Sequence, residues 1–277
     1  MKLCSIEKIH SISNHPNADS LLVAKILAWN ICIKKDDNFQ ENELVVFFPI
    51  DVVVDKNNPF FKFMEGRKFK VWNAKFRGEP SQGLVCKLDI LKYYGLNDFS
   101  QLVEGQDIGE LVKAIKYETP DSIGGNNGQS CGGWTGLISR TDEDNLLSNP
   151  QCEDEFRGEK VYTTIKADGQ SHTILYYNGD VRVFSRSLEK KNIDGCRFWD
   201  NAKNYNLPDK LTKLGKNIAI QSEQIGLGVQ KNRMGINGHK LLVFNIKDLD
   251  TNLYYGYHEI KDFCDKNELE MVKLIDI

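Results

Sequence analysis

The stretch 161–186, VYTTIKADGQSHTILYYNGDVRVFSR, carries the residues of this chain best suited to do chemistry: a lysine at 166, an aspartate at 168 beside a glycine, and an arginine at 186. A lysine amine can attack phosphorus, a carboxylate can hold a hydrated divalent ion, and an arginine can hold ribose or phosphate oxygens. A free lysine titrates near ~10.4, so a metal ion or a cationic neighbour must bring the amine to its neutral form before it is a nucleophile. Lys166, Asp168 and Arg186 are therefore candidates for nucleotide chemistry. Taken alone, a K-x-D-G in a charged chain is more simply a surface lysine before a turn.

The elements that must position these groups are short strands. Tyr162, Thr164 and Lys166 alternate as a strand ending in the lysine, and the chain turns at Asp168-Gly169. His172 to Tyr177 has strand composition, Asn178-Gly179 supplies a tight hairpin, and Val181 to Ser185 delivers Arg186. The three groups thus come to one sheet edge. Further on, 197–214 reads as helical pieces broken at Pro208, IAIQSEQI (218–225) and LLVFNI (241–246) as strands, 258–267 as a short helix and 271–277 as the start of another strand. This is an α+β body around an antiparallel sheet.

Residues 1–119 read as an all-β module of short strands at 3–12, 21–29, 31–34, 44–50, 68–75 and 83–88, and an OB-type barrel fits that size. Phe61-Lys62-Phe63, Arg67 to Trp72 and Lys75-Phe76-Arg77 interleave rings with positive charge, which makes Lys68, Lys70, Trp72, Lys75 and Arg77 candidates for contact with RNA. An ordinary amphipathic strand would give the same pattern. PDSIGGNNGQSCGGWTG, residues 120–136, reads as a Gly-rich linker ahead of a second body over 137–277.

A chain of 277 residues with 40% apolar content is long enough for two domains. A net charge of −3 excludes a polybasic nucleic-acid binder, so any such binding is local. Seven cysteines without a C-x-x-C pair and five histidines without H-x-x-x-H spacing argue against a zinc site and a disulfide framework. No apolar run spans a membrane and no signal peptide opens the chain, so the expected location is intracellular and cytoplasmic, with nucleus or organelle left open.

Set in order, Lys166-Ala167-Asp168-Gly169, Phe184-Ser185-Arg186, Gln221 to Gly226 and Val243-Phe244-Asn245 resemble motifs I, Ia, III and IIIa of the covalent nucleotidyltransferases: RNA ligases, DNA ligases and capping enzymes. With Lys75-Phe76-Arg77-Gly78 and Arg140-Thr141-Asp142-Glu143 upstream, the whole chain resembles ATP-dependent RNA ligases with an N-terminal OB domain, the Deinococcus and Naegleria group. The resemblance implies ATP and Mg²⁺ or Mn²⁺ as cofactors, Lys166 as the residue that becomes lysyl-AMP, and Asp168 and, through water, Glu223 at the metal. Around the nucleotide it implies Ile165 (a glutamate in many of these ligases), Gly169, Ser171, Arg186, Glu223 and Phe244. RNA 5′-phosphate and 3′-hydroxyl ends would be the partners.

The E-G-x-V and lysine-rich motifs that follow in such ligases are not found after Phe244, so the catalytic domain is expected to be C-terminally incomplete, with a second chain as a possible source of them. The bland alternative is a non-catalytic RNA- or tRNA-binding OB protein with a degenerate ligase half, a reading to which His15-Pro16-Asn17-Ala18-Asp19 adds a short likeness to tRNA-binding domains. A DNA ligase or capping enzyme is disfavoured because the barrel precedes the lysine.

Overall fold

The computed structural model describes residues 2–117, 128–141, 143 and 145–277. The chain divides into two units, one of residues 1–119 and 143–157, the other of 120–142 and 158–277.

The first unit is built on β1 (Ser5–Asn14), β2 (Leu21–Ile26), β3 (Trp29–Lys34), β4 (Leu44–Phe48) and, later in the chain, β8 (Leu84–Cys86), in the order β3-β2-β1-β4-β8. The four pairings of this sheet are antiparallel, and β3 also lies beside β8, so the sheet curls to a nearly closed barrel. Alternate residues turn inward: Ile31 and Ile33 of β3, with Ile9, Ala24, Val45 and Phe47, form one buried cluster. Between β4 and β8 come β5 (Val52–Val53), a 3₁₀ helix (Pro59–Arg67), and the hairpin of β6 (Asn73–Phe76) and β7 (Glu79–Gln82); β9 (Ile115–Lys116) pairs with β5.

The expected strand over 68–75 is a correction. Lys68 and Phe69 both have positive φ, 53° and 60°, because Lys68 caps the 3₁₀ helix in the left-handed region. Pro59 starts that helix and Asn58 caps it, its side chain accepting from Phe60 N–H at 3.0 Å. Only Asn73–Phe76 is strand. The excursion 143–157, with α1 (Cys152–Glu155), returns to this unit: Trp29 Nε1 donates to Ser148 Oγ at 3.1 Å.

The second unit carries a seven-stranded sheet in the order β10 (Ser130–Gly133), β14 (Leu188–Lys190), β13 (Asp180–Phe184), β12 (Gln170–Tyr177), β15 (Ile218–Gly226), β16 (His239–Asp248), β17 (Glu270–Met271). All pairs are antiparallel except β16 with β17, which is parallel. Asn178 and Gly179 take φ of 51° and 95° in the β12–β13 hairpin, as the dipeptide requires. Pro208 begins a helix instead of breaking one: α2 (Arg197–Asn204) and α3 (Leu207–Leu214) pack with α4 (Tyr257–Asn267) on one face, over Ile174, Val183, Ile218, Ile220 and Val243. The opposite face buries Leu175, Phe184 and Ala219 under Ile138.

Two expectations differ here. The 120–136 linker contributes the edge strand β10, where small residues let backbone pair with β14; residues 118–127 lie outside the described residues. The strand leading into Lys166 is only β11 (Thr163–Thr164), and it pairs not with the large sheet but with β18 (Leu274–Asp276).

Candidate active site

The register of the sheet brings the motif residues together. Ser171 of β12 stands opposite Glu223 of β15, and Gln221 opposite Asn245 of β16. A bulge between Gln221 and Ser222 leaves Phe244 as the extra residue on β16. Phe244 is half-buried and belongs to neither core cluster of this unit, so it is not the packed core residue that an LLVFNI strand suggests. By alternation Ser171, Thr173, Gln221 and Glu223 share the face opposite the helices, since Ile174, Ile218 and Ile220 point the other way.

The loop carrying Lys166 is drawn onto this face by its glycine. A Cβ on Gly169 would lie 2.3 Å from Gln224 O and 2.9 Å from Glu223 Cγ, so only glycine lets the loop approach β15. The Gly169 N–H hydrogen-bonds Glu223. Burial pushes the Glu223 carboxyl up to about 7 despite that bond and the charge of Lys166, with Asp168 adding a smaller push in the same direction. Lys166, Asp168, Gly169 and Glu223 are thus one electrostatic cluster. Lys166 is exposed, Asp168 half-exposed, and Ile165 exposed with its N–H donating to Lys273 O at 2.9 Å.

Arg186 sits at the turn between β13 and β14. Because Phe184 pairs with Thr173, the turn falls beside the first residues of β12, at the same end as Ser171 and Glu223. Ser185 N–H donates to Leu188 O at 2.9 Å, and Arg182 grips Glu189 through Nε (2.9 Å) and Nη2 (2.5 Å), which fixes the turn.

Several residues at the site carry no signal in a K-x-D-G. Gln221 Nε2 donates to Ser139 O at 3.0 Å and its Oε1 accepts from Asn245 at 3.3 Å, tying the segment before Arg140 to the sheet. The alternation that exposes Glu223 would have found Gln221. The Thr173 hydroxyl, on the same face, is buried without a protein partner. Arg233, in the β15–β16 loop, places Nη1 3.3 Å from Asp168 Oδ2, and Gln230 Nε2 donates to Gly169 O at 3.2 Å. That loop is closed by Leu227 N–H to Gly238 O and by Gly226, where a Cβ would meet Gly238 O at 2.0 Å.

The expected RNA contacts lie in the first unit. Lys68, Trp72, Lys75 and Arg77 are exposed; Lys70 is not free for a phosphate, since it pairs with Asp51 at 2.8 Å and lies over the rings of Tyr117 and Trp72. His15 is buried and structural: its Nδ1 accepts from Asn17 N–H at 3.1 Å, so Nε2 carries the proton and donates to Phe76 O at 3.0 Å.

The site offers oxygen donors to a hard divalent ion, but no group of three or more His, Cys, Asp or Glu that could hold a metal occurs among the described residues. Asp168 and Glu223 fit an ion whose shell is completed by water and nucleotide phosphates. No helix among the described residues is long and apolar enough to cross a membrane.

Residues 3–88 match an OB-fold domain model and residues 159–277 match the RNA ligase model. The fold is similar to that of Naegleria gruberi RNA ligase with pyrophosphate, at TM-score 0.81 and 24% identity over 100% of this chain and 84% of that one. It is equally similar to a lysine-to-methionine variant of that enzyme with AMP and Mn (TM-score 0.83, 24% identity, 100% and 84%) and to a lysine-to-alanine variant with ATP and Mn (0.82, 24%, 99% and 84%). No curated protein matches the sequence.

Proposed function

We propose, from the match of residues 159–277 to an RNA ligase model and of residues 3–88 to an OB-fold domain model, that the protein is an ATP-dependent RNA ligase that works through a lysyl-AMP intermediate. The observation that carries the reading is the cluster of Lys166, Asp168 and Glu223 around the Gly169 N–H, directly across from Ser171.

Lys166 Nζ attacks the α-phosphorus of ATP. A P–N bond forms, the P–O bond to pyrophosphate breaks, and the amine proton leaves to water. Passage of AMP to an RNA 5′-phosphate restores the amine, and a 3′-hydroxyl then displaces AMP as the phosphodiester forms. In-line displacement at phosphorus needs positioning and charge neutralisation more than covalent help.

Asp168 and, through water, Glu223 would hold a Mg²⁺ or Mn²⁺ ion, which supplies neutralising charge at the phosphates. Glu223, with its raised pKa, and Ser171 would hold the ribose, Phe244 would cover the adenine from its bulge, Arg186 would reach phosphate or ribose from its turn, and Ile165 and Gly169 would line the nucleotide beside the lysine. Lys68, Trp72, Lys75 and Arg77 would track the RNA, with Lys70 bracing Trp72.

Incubation with ATP labelled at the α-phosphate and Mn²⁺ should leave label on the protein and none on Lys166→Ala. Label retained by that variant would remove Lys166 from the mechanism. Comparing ATP with GTP, and nicked RNA with nicked DNA, tests the nucleotide and the polymer.

A further inference from the structure

A polar hollow of about 220 Å³ lies in the first unit, where the start of β1, the end of β4 and the β2–β3 turn meet; Ser5, Glu7, Leu27, Phe47 and Asn149 are among its lining. Ser5 and Glu7 are each only 3% exposed. In the β1–β4 pairing they stand opposite Phe47 and Val45. Residues opposite one another share a face, so both side chains turn to the side on which Ile9, Val45 and Phe47 form their buried cluster. Alternation into an apolar core calls for an apolar residue at position 7, and a carboxyl stands there instead.

A carboxylate is costly to bury unless a cation answers it. The Ser5 side chain hydrogen-bonds the Glu7 carboxyl, while Lys2 and His10 act on it through their charge alone. Lys2 is engaged elsewhere, its Nζ donating to Gly105 O at 2.5 Å, and Glu104 is taken by Lys8 at 3.2 Å. Burial pushes the Glu7 carboxyl up, and the Ser5 bond and the charge of Lys2 offset that only in part.

The rest of the lining selects what could answer it. Ser148, Asn149 and Gln151 of the returning segment form a polar wall, held in place by the Trp29 Nε1 bond to Ser148 Oγ and by Asn149 Nδ2 donating to Asn145 O at 3.2 Å. The Asn149 amide oxygen is then an acceptor like the Glu7 carboxyl. Leu27, Phe47 and Pro49 add an apolar side. Acceptors beside apolar surface match N–H donors on a short apolar stem, whereas a phosphate or carboxylate would be repelled by Glu7. The volume is below the ~300 Å³ at which drug-sized pockets begin, so the occupant is small.

We propose that this hollow binds a small organic cation, a guanidinium or primary ammonium on a short apolar stem, with its positive head on Glu7 and its stem against Phe47 and Leu27. Because Asn149 belongs to the returning segment and Glu7 to β1, the bound cation bridges the two and holds that segment against the barrel. The site makes no use of Lys166 and does not depend on the ligase reading.

The test is isothermal titration calorimetry on the full chain at constant ionic strength, with methylguanidinium, propylammonium, the neutral isostere methylurea, and potassium as probes. The two organic cations should bind saturably, and methylurea and potassium should not. Glu7→Gln keeps the shape and removes the charge, so it should melt no lower than the wild type without ligand and bind methylguanidinium at least about tenfold more weakly, the size of a lost hydrogen bond to a charged group. A second measurement needs no variant: in the wild type, methylguanidinium should slow amide hydrogen exchange across residues 145–151. Absence of saturable binding would leave a hollow that holds only water. Equal binding of methylurea or potassium, unchanged affinity in Glu7→Gln, or exchange that slows elsewhere and not across 145–151 would each overturn the cation site.

Discussion

Arg233 Nη1 lies 3.3 Å from Asp168 Oδ2, so a guanidinium from the β15–β16 loop and a divalent ion would compete for one carboxylate. Both side chains are largely exposed, and such a pair contributes about 0–1 kcal/mol. Arg233→Ala should therefore leave the melting temperature unchanged and lower the Mn²⁺ concentration for half-maximal lysyl-AMP formation by roughly 2- to 5-fold, the equivalent of that energy. A metal titration of the labelling reaction measures it. An unchanged or raised half-saturation point would show that Arg233 does not compete for Asp168.

Gly169→Ala places a methyl group 2.3 Å from Gln224 O, and backbone cannot swing aside as a side chain can. The loop must lift off β15 and break the Gly169 N–H bond to Glu223. Labelling should fall by at least about tenfold, one order for each ~1.4 kcal/mol of lost positioning. Wild-type labelling would show that the close approach is dispensable.

The lysine's approach strand depends on the last residues of the chain: Thr163 and Thr164 pair with Asp276 and Leu274, and Ile165 with Lys273. Deleting residues 273–277 removes only this ribbon from the unit. The expected result is a small fall in melting temperature, with only a few hydrogen bonds at roughly 1 kcal/mol each lost, and a large fall in lysyl-AMP. Quantitative labelling of the shortened protein would show that Lys166 is positioned by Gly169 alone.

His172 gives the stability a pH dependence of known sign. It is fully buried, its Nε2–H donates to Phe198 O at 3.0 Å, and burial lowers its pKa to about 4 from the usual 6.5. The unfolded chain takes up the proton first as pH falls. The stability due to the neutral ring is complete above pH 6.5 and is lost as pH falls towards 4, by about 3 kcal/mol in total. Urea melts at pH 7.5 and 4.5 should show the loss, and His172→Gln, less stable throughout, should show a shallower slope. An identical slope in the variant would assign the effect to other groups.

How much of this was legible in the sequence varies with the kind of residue. Glu223 and Ser171 could be placed because strands alternate and the hairpin at Asn178-Gly179 fixes register. The interleaved stretch around Lys68 was not, because Pro59 and the Asn58 cap favour a 3₁₀ helix whose exit needs positive φ, and alternation of rings and charges cannot reveal that. Phe244 looks like core in its strand because the bulge that turns it out is a matter of pairing with β15. Arg233 sits in an irregular loop with no period, and its relation to Asp168 exists only in three dimensions. Lys70 shows the converse: charge in a basic run suggested a phosphate contact, but Asp51, Trp72 and Tyr117 already claim it.

The return of residues 143–157 to the first unit bears on how the gene can be dissected. A fragment ending at residue 119 would leave the Trp29 indole N–H without Ser148 and the Ala28 N–H without its acceptor, Leu147 O. No single cut separates the two units intact. An expression plasmid for the barrel alone must carry the later segment spliced on, and a failure of the shorter piece to fold would say nothing about its affinity for RNA.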